Sequence, residues 1–336
     1  MKVLITGGAG FIGSTVAAAC LDEGIDVVVL DNLSAGRAEF VEGRTWYRGD
    51  IADGELIDRI FAEHPDIHAT VGCAAKIVVP ESVARPLHYY TENVTKGLAL
   101  LGHLVRNGCE RFLFSSSAAI YEPGQGITES SPLRPASPYA RTKAHFENVL
   151  EDVAAGTPLR AVSLRYFNPI GCDPEFRSGL QVRRPTHALG VMIDAFHEGR
   201  PFPVTGTDWE TRDGSGIRDY VHVHDLARAH VAALRRFDAI TSRDAGGTPY
   251  RPVNLGTGQG TTVFELIRAF ENVTGKPLPT EVAGRRPGDN AGAYPDIALA
   301  RELLDWEPVL SVERGIADSL AWHARRDLVL AADADD

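Results

Sequence analysis

The sequence predicts an α/β protein with a Rossmann-like, doubly wound parallel sheet and a smaller C-terminal substrate domain. Apolar strand patterns alternate with helical patterns through the first half of the chain, and a glycine-rich turn separates the first strand from the first helix. After about residue 168 the composition shifts toward Pro, Gly and Arg. Because alternating strands and helices form right-handed βαβ units, ligands are expected beyond the carboxyl ends of the strands.

The first strand, turn and helix form the feature around which the rest of the chain is organised. A short apolar run at 3–5 leads into four glycines and then a helical pattern over 11–23. Glycines permit a tight turn and the close approach of a pyrophosphate, to which a helix N-terminus offers N–H groups. The predicted dinucleotide loop, with Gly-x-x-Gly-x-x-Gly spacing, consists of Gly7, Gly10, Phe11, Ile12 and Gly13.

An acidic residue follows the second predicted strand, at 26–30. Asp31 stands near the position where a carboxylate holds the adenosine ribose hydroxyls in dinucleotide-binding folds. A carboxylate there repels a 2′-phosphate and favours NAD over NADP, although the cationic Arg37 follows closely in sequence. We therefore predict NAD as the cofactor.

Later strands bring small and polar residues to the same edge of the sheet. We predict strands at 45–47, 69–75 and 111–114, and helices at 53–63 and 87–106. Small residues at the end of the second of these strands let a cofactor lie against the backbone, and three serines follow the third. The further candidate cofactor-binding residues are Asn32, Asp50, Ile51, Ala74, Ala75, Asn93, Ser115, Tyr139, Lys143 and Phe167.

The domain organisation follows from the change in composition. We predict an NAD-binding domain over 1–168, to which a segment of about 221–256 returns through an apolar strand at 252–255. The segments 169–220 and 257–330 then form the substrate domain. The remaining residues, 331–336, are a small acidic tail.

Composition excludes several classes of protein. The 336 residues are 44% hydrophobic, which predicts a globular chain, and the net charge of −11 argues against nucleic-acid or membrane partners. No apolar run approaches the roughly 20 residues that span a bilayer, and no signal peptide is predicted. The four scattered cysteines form no Cys-x-x-Cys pair, so we expect a reducing, cytoplasmic environment. We expect no metal, and we interpret the segment from His222 to Asp225 as a strand entering a helix capped by Asp225.

A second motif carries the chemistry. Ser137 and Pro138 predict a helix start, and Tyr139 and Lys143 then lie on one helix face, one turn apart. A free phenol has a pKa of about 10. A nearby ammonium and a positive nicotinamide ring would draw that pKa toward neutrality, so the tyrosine could exchange a proton with an alcohol. Ser117, after the strand at 111–114, could hydrogen-bond the same hydroxyl, which predicts Ser117, Tyr139 and Lys143 as the catalytic set.

These residues resemble the extended short-chain dehydrogenase/reductase family, and further segments are similar to the UDP-hexose 4-epimerases within it. The resemblance covers about 1–325. The segments that carry it include Thr6-Gly-Gly-Ala-Gly-Phe-Ile-Gly13, Ser137-Pro-Tyr-Ala-Arg-Thr-Lys143, Leu164-Arg-Tyr-Phe-Asn-Pro-Ile-Gly171, Gly216-Ile-Arg-Asp-Tyr-Val-His-Val223 and Arg285-Arg-Pro-Gly-Asp289.

The resemblance implies a redox reaction that consumes no cofactor, in which UDP-glucose and UDP-galactose interconvert through a 4-keto sugar. It implies a tightly held NAD, an anchored UDP and a homodimer built through helices around 87–106 and 139–152. By position, Arg218 and Arg286 match pyrophosphate-binding arginines, and Asp289 matches an acid that binds ribose. The candidate substrate-binding residues are Ser117, Tyr139, Asn168, Leu189, Arg218, Tyr220, Arg286, Asp289 and Ala293.

Three positions depart from the pattern of the family. A lysine that members usually carry near the cofactor phosphates falls at Ile77 here, and Lys76 comes one place early. His187 and Ala188 stand where many members have two asparagines. Ala293 replaces a bulky tyrosine of some members, which leaves room for a 2-acetamido group and extends the expected substrates to UDP-GlcNAc and UDP-GalNAc.

Two classes of alternative are weighed against this interpretation: another sugar-nucleotide enzyme on the same scaffold, and a protein that is not an enzyme. A UDP-glucuronate 4-epimerase would keep the same catalytic set. A sugar-nucleotide 4,6-dehydratase needs an Asp-Glu pair where this chain has Ala118 and Ala119, and a decarboxylase would use the same scaffold. A regulator that only senses NAD would have no need of Ser117, Tyr139 and Lys143 together.

Overall fold

The computed structural model describes residues 1–244, 246–285 and 290–330. The predicted tail at 331–336 and the candidates Arg286 and Asp289 lie outside this range. The strands of the described part are β1 Lys2–Thr6, β2 Asp26–Asp31, β3 Thr45–Arg48, β4 Ile67–Gly72, β5 Arg111–Ser115, β6 Gly124–Ile127, β7 Arg160–Tyr166, β8 Asn168–Ile170, β9 Phe202–Thr205, β10 Ile217–Arg218, β11 Tyr220–His222, β12 Tyr250–Leu255, β13 Thr261–Thr262, β14 Thr280–Ala283 and β15 Gly292–Pro295.

Many of the strands are connected by helices, and two helices follow β15. They are α1 Phe11–Asp22, α2 Gly54–Glu63, α3 Val79–Ala84, α4 Pro86–Tyr90, α5 Lys96–Arg106, α6 Pro138–Gly156, α7 Ala188–Glu198, α8 Val223–Arg235, α9 Phe237–Ile240, α10 Val263–Thr274, α11 Ala298–Leu304 and α12 Val312–Val329. A π-helical turn, Thr91–Thr95, joins α4 to α5, and short 3₁₀ helices occupy Ala38–Val41 and Ala118–Ile120.

A seven-stranded parallel sheet confirms the predicted fold class. Its strand order is β12-β7-β5-β4-β1-β2-β3. The chain order reverses at β1, which pairs with β2 on one side and β4 on the other. The crevice at such a switch point, outside the carboxyl ends of the strands, is where this class of sheet binds ligands.

Helices cover both faces of the sheet. Val3 and Ile5 of β1 lie in an apolar cluster with residues of α1, α8 and α11. Leu4, between them, points to the opposite face and into a second cluster with residues of α2, α5 and α6. This alternation is that of a strand buried on both sides, and it explains why the strands read as continuous apolar runs.

Smaller sheets and a separate core follow the main sheet. One sheet has the order β13-β10-β15-β6, and two pairs, β11-β8 and β14-β9, stand apart from it. A third apolar cluster packs residues of α7, α10 and α12 together. The domain boundaries given above remain a prediction, although β12 does return to the main sheet beside β7, as expected.

The structure differs from the sequence-based prediction in three places. The helix predicted over 87–106 is divided, because α4 ends at Tyr90 and the π-helical turn intervenes before α5. The strand β7, between β5 and β12, was not anticipated. The N-cap of α8 is His222, whose Nδ1 accepts from the His224 N–H (3.0 Å), and is not Asp225. The Asp225 carboxylate instead accepts from the N–H groups of Val309 and Leu310.

Candidate active site

The glycine-rich loop after β1 is tightly packed. Gly7 has a φ of +71°, and a Cβ added there would lie 2.5 Å from the Ala74 nitrogen. A Cβ on Gly13 would lie 2.2 Å from the Gly7 carbonyl oxygen. Helix α1 begins after Gly10 without a side-chain cap, which leaves its first N–H groups to an anion. The loop therefore fits the pyrophosphate of a dinucleotide.

Asp31 fastens the end of β2 to this loop. Its carboxylate accepts hydrogen bonds from the N–H groups of Ala9 (3.0 Å) and Leu33 (2.7 Å). Leu33 adopts a φ of 60°, so the chain turns sharply around the carboxylate. Asp31 is therefore positioned at the predicted ribose end of the crevice, where its charge is balanced by backbone dipoles.

The candidates in the loops after β2 and β3, Asn32 and Asp50, form one polar group. The Asn32 amide donates to the Asp50 carboxylate (3.3 Å), which also accepts from the Lys96 ammonium at 2.7 Å. These contacts lower the pKa of Asp50 although burial acts to raise it. Ile51 packs against the apolar cluster formed with α2, α5 and α6.

Asn93 contacts the loop after β4 and helix α6, and its contact with the cofactor stays a prediction. It lies in the π-helical turn, and its amide bonds both the N–H and the C=O of Lys76, at 2.8 and 2.9 Å. It also donates to the Thr142 hydroxyl of α6 (3.0 Å). Asn93 thus ties the loop after β4, which contains Ala74 and Ala75, to the helix that carries Tyr139.

The start of α6 positions the candidate tyrosine as predicted. Ser137 caps the helix by accepting from the Ala140 N–H (3.1 Å), and Pro138 occupies the first turn. Tyr139 is buried, and the Ser117 side chain lies close enough to its hydroxyl to act on its pKa. Burial raises the pKa of Tyr139, while the Ser117 contact acts to lower it. The predicted displacement of this pKa toward neutrality is therefore not a property of the protein residues alone.

Lys143 lies one turn farther along α6, beneath the ends of the strands. Its ammonium donates to the Ser115 carbonyl (2.7 Å) and stands 4.6 Å from the centre of the Phe114 ring. Burial lowers the pKa of Lys143 to about 8. The ammonium is bonded to the sheet edge, and its expected effect on the pKa of Tyr139 stays a prediction.

Arg218 presents a cation with backbone oxygens as its partners. Its guanidinium donates to the carbonyls of Ile217 (2.8 Å), Ala291 (3.2 Å) and Asn290 (3.3 Å). Within the described residues no carboxylate forms an ion pair with it. Gly292 permits this arrangement, because a Cβ there would lie 2.0 Å from Nη1 of Arg218. The positive charge is fixed in place and remains available to a phosphate.

The substrate candidates Tyr220, Asn168 and Leu189 and the cofactor candidate Phe167 lie near Arg218 and the end of β7. Tyr220 and Asn168 are partners in the β11-β8 pair, and burial raises the pKa of Tyr220 to about 12. Phe167 is buried and donates its N–H to the Leu255 carbonyl (3.1 Å). Leu189 is buried in the first turn of α7, whose N-terminal N–H groups suit an anion.

The departures at 187 and 293 have clear structural consequences. The Nδ1 of His187 accepts from the Gly190 N–H (3.2 Å), so this residue caps α7 in place of the asparagines of the family. Ala293 pairs with Arg218 in the β10-β15 ladder and packs beside Tyr121 and its neighbours. Tyr294 faces the other way and donates to Gln125 (3.1 Å), so its ring does not replace the missing bulk at 293.

Sequence reasoning missed a buried network behind the catalytic helix. Arg165 of β7 forms an ion pair with Glu147, which lies one turn beyond Lys143, and it also donates to the Tyr121 hydroxyl (2.7 Å). The Ser116 hydroxyl donates to the same carboxylate. The four-residue spacing from Lys143 to Glu147 was visible in the sequence, but the partner strand was not.

The described residues contain neither a membrane-spanning helix nor a metal-binding cluster. None of their helices is long and apolar enough to cross a membrane. Their His, Cys, Asp and Glu side chains nowhere assemble in a group of three or more that could hold a metal ion. Both ring nitrogens of His222 have partners within the protein. Its Nδ1 accepts from the His224 N–H at the start of α8, and its Nε2 lies 3.1 Å from the Asp318 carboxylate.

The fold and the site together define a Rossmann-type protein that binds a dinucleotide beside a Ser–Tyr–Lys set. The chain belongs to the NAD dependent epimerase/dehydratase family, whose model matches residues 3–256. This membership confirms NAD as the predicted cofactor and confirms the family resemblance stated from the sequence.

Relatives align over nearly the whole chain. It is 42% identical over 327 residues to the UDP-glucose 4-epimerase of Azospirillum brasilense, covering 96% of this chain and 92% of that protein. It is 40% identical to the UDP-glucose 4-epimerase of Bacillus subtilis, covering 96% and 97% of the two chains.

Solved structures of UDP-glucose 4-epimerases are similar to this chain over nearly its whole length. The UDP-glucose-4-epimerase of Stenotrophomonas maltophila, with bound NAD and formylated UDP-arabinopyranose, superposes with a TM-score of 0.90 at 35% identity, covering 96% of this chain and 98% of that one. The enzyme of Bifidobacterium longum, in complex with NAD+ and UDP, superposes with a TM-score of 0.88 at 35% identity, covering 97% and 98%.

Proposed function

We propose that this chain is an NAD-dependent 4-epimerase that interconverts UDP-glucose and UDP-galactose. The observation that carries the proposal is the placement of two buried side chains, Ser117 just after β5 and Tyr139 in the first turn of α6, close enough for Ser117 to act on the pKa of Tyr139. The full-length similarity to proteins named UDP-glucose 4-epimerase supports the choice of reaction.

The residues of the loop fit NAD. Gly7 and Gly13 leave no room for side chains, so the backbone can approach a pyrophosphate, and Asp31 stands at the ribose end. NAD, when bound, supplies the acceptor and later the donor of the C4 hydride. The side chains around the sugar must transfer the proton and hold the UDP group.

Tyr139 is proposed to carry the proton of the reaction. Its phenolate oxygen takes the proton from the C4 hydroxyl as that carbon becomes a ketone, and it returns the proton when the alcohol re-forms on the opposite face. Ser117 lies near the Tyr139 hydroxyl and can hydrogen-bond the same oxygen of the sugar. Lys143 adds a positive charge under the sheet edge, which favours the phenolate.

UDP is proposed to be held by the other side of the crevice. Arg218 offers a guanidinium without a carboxylate partner among the described residues, and the first turn of α7 around Leu189 offers N–H groups. Arg286 and Asp289, outside the described residues, remain predicted contacts to the pyrophosphate and ribose. Firm binding of UDP keeps the 4-keto intermediate in the site while its hexose rotates and presents the other face to the cofactor.

Epimerisation without added cofactor tests the proposal. The purified protein is incubated separately with UDP-galactose, UDP-N-acetylgalactosamine and UDP-galacturonate, and the C4 epimers are quantified. We expect conversion of UDP-galactose. Conversion of UDP-galacturonate alone would favour the UDP-glucuronate 4-epimerase, and bound NAD without conversion of any sugar would favour a sensing role.

Ala293 is proposed to admit 2-acetamido sugars. Replacing Ala293 with Tyr should lower kcat/KM for UDP-N-acetylgalactosamine by at least about tenfold, because a bulky ring excludes the acetamido group. The same change should leave UDP-galactose turnover near the native value. Tyr294→Phe, on the opposite face of β15, is the matched control. Equal losses of kcat/KM for UDP-N-acetylgalactosamine and UDP-galactose would contradict the proposal that Ala293 admits the acetamido group.

We also propose a homodimer formed through α5 and α6. These helices pack closely, since a Cβ on Gly97 would lie 2.5 Å from the Phe146 ring. Leu98 of α5 and Leu87 of α4 are exposed by 45% and 82%, an apolar surface that a second copy would cover. Leu98→Glu should shift sedimentation toward the monomer, whereas Leu328→Glu on α12 should not. An unchanged dimer in Leu98→Glu would contradict this interface.

The proposed compartment is the cytoplasm. All four cysteines are free thiols, and Cys20, Cys109 and Cys172 are buried. Free buried thiols are typical of proteins that work under reducing conditions.

A further inference from the structure

Three consecutive serines stand at the end of β5, and each contacts a different part of the protein. The Ser115 carbonyl accepts from the Lys143 ammonium at 2.7 Å. The Ser117 side chain lies close enough to the Tyr139 hydroxyl to act on its pKa. Ser116 lies between them and continues the pairing with β7, because its N–H donates to a carbonyl of that strand at 2.9 Å. The position of Ser116 therefore determines where both neighbouring contacts fall.

The side chain of Ser116 points to α6. The Ser115 hydroxyl points to the other face of the sheet, where it lies 3.4 Å from Nε2 of His230 in α8, as the alternation of a strand requires. The Ser116 hydroxyl is buried and donates to the Glu147 carboxylate. Glu147 follows Lys143 by one turn of α6. Two adjacent residues of the strand end are thus bonded to two residues that are one turn apart on the helix.

The Glu147 carboxylate is itself held in place by Arg165 of β7. The Nε of Arg165 lies 3.0 Å from both carboxylate oxygens. The same guanidinium donates to the Tyr121 hydroxyl (2.7 Å) and to the Glu129 carbonyl (3.1 Å), so it cannot move without breaking these contacts. The acceptor that Glu147 offers to Ser116 therefore has a fixed position.

Stability alone gives little reason for a buried ion pair at this place. Apolar side chains of similar volume often stabilise a core at least as well as a buried pair, because the charges of the pair lose their hydration. An apolar side chain at position 147 could not accept the hydrogen bond from Ser116. What the ion pair adds is a directional attachment of the strand end to α6, next to Ser117 and Lys143.

We propose that Glu147 is a positioning residue for the catalytic set. By accepting from Ser116, it holds the end of β5 against α6 and keeps the side chains of the set beside one another. The proposal rests on the proposed function, because the groups that it positions are those assigned to proton transfer. A misplacement of about 1 Å can lower turnover as much as a hundredfold, so a contact behind the crevice can control the rate.

A matched pair of substitutions at Ser116 tests the proposal. Ser116→Thr and Ser116→Val have side chains of the same shape, and only the first can donate to Glu147. The kcat of Ser116→Val should be about tenfold below that of Ser116→Thr, because the catalytic set is less well aligned. KM for UDP-galactose and the content of bound NAD should be equal in the two variants. Ser116→Ala, compared with the native protein, should show the same loss and covers the case in which neither larger side chain fits.

A spectroscopic measurement reports the alignment without any sugar. The near-ultraviolet absorbance of the Tyr139 phenolate is titrated in each NAD-loaded variant, and the same variant with Tyr139→Phe serves as the blank. The Ser117 side chain acts to lower the pKa of Tyr139. Loss of the Ser116 contact should therefore raise the pKa of Tyr139 in Ser116→Val relative to Ser116→Thr. A purely structural role of Ser116 would lower stability without moving this pKa.

Removal of the whole ion pair separates positioning from stability. In the double variant Arg165→Met/Glu147→Leu two apolar side chains replace the pair, so the midpoint of urea unfolding should stay near the native value. Its kcat should still fall about tenfold, because Ser116 has lost its acceptor. Adding Ser116→Val to this double variant should cause no further loss of kcat, since both changes remove the same contact.

Thr241→Val is the control for the loss of a buried hydroxyl. The Thr241 hydroxyl is buried and donates to the Phe237 carbonyl at 2.9 Å. It lies near the start of β7, since the Thr241 carbonyl accepts from Arg160, the first residue of that strand. This end of the strand is opposite to the one beside the catalytic set, so the variant should keep the native kcat and the native pKa of Tyr139.

The outcomes separate the positioning role from the proposed function. Equal kcat and equal pKa of Tyr139 in Ser116→Thr and Ser116→Val would overturn the positioning role and leave epimerisation intact. A loss of kcat in Thr241→Val as large as that in Ser116→Val would also overturn it. A native protein that epimerises no sugar would contradict the proposed function, and the titration of Tyr139 would still decide whether Ser116 and Glu147 position the set.

Discussion

Replacing Tyr139 with phenylalanine is expected to reduce epimerisation by about a thousandfold, the scale of a lost general acid–base group. The change removes one hydroxyl, which the Ser117 side chain contacts, and it leaves the ring in its buried position. Bound NAD should therefore remain at the native level. Initial rates with UDP-galactose measure the loss of epimerisation, and the NAD content of the purified protein shows whether cofactor binding is unchanged.

Tyr47→Phe is the matched control for this experiment. The Tyr47 hydroxyl contacts Glu63 and His64, at the edge of the sheet formed by β3, so its loss should leave turnover unchanged. Native turnover in Tyr139→Phe with unchanged NAD content would refute the catalytic assignment of Tyr139.

Replacing Arg165 with methionine is expected to lower the free energy of unfolding by about 3–5 kcal/mol, the scale for a buried charge left without its partner. Arg165 and Glu147 are both buried, at side-chain exposures of 6% and 4%. The variant leaves the Glu147 carboxylate with the hydrogen bond from the Ser116 hydroxyl and without its cationic partner. Urea unfolding at a fixed NAD concentration measures the change, since bound cofactor itself adds stability.

A surface pair provides the comparison. Arg134 and Glu122 form an ion pair with side-chain exposures of 77% and 45%, and Arg134→Met should cost less than about 1 kcal/mol. Adding Glu147→Gln to Arg165→Met should recover part of the loss because the unpaired charge is removed. Similar losses in Arg165→Met and Arg134→Met would contradict the importance of burial.

Local patterns were sufficient to predict the parts of the site that depend on neighbours in sequence. The glycine loop, the end of β2 at Asp31 and the start of α6 at Ser137 each depend on a few adjacent residues. Their conformations follow from turn chemistry and helix capping, which the chain displays directly.

Contacts between distant segments explain what could not be predicted. The strand β7 contains Arg165, which looks unsuited to a buried strand until Glu147 of α6 is brought beside it. Aspartate is a common N-cap residue, which is why Asp225 was predicted to cap α8. Its carboxylate instead accepts hydrogen bonds from the N–H groups of Val309 and Leu310, and His222 caps the helix. The pKa of Tyr139 depends on burial, which no local pattern records.

The place of β12 at the edge of the sheet has a consequence for synthesis of the protein on the ribosome. Strand β7 pairs with β5 on one side and β12 on the other, and β12 is not complete until Leu255. A nascent chain that has folded only as far as β7 therefore presents the unpaired edge of a buried strand, the kind of surface on which chains aggregate. The cofactor-binding half cannot reach its final form until much of the other half has been made, and a fragment ending near residue 168 is expected to be prone to aggregation.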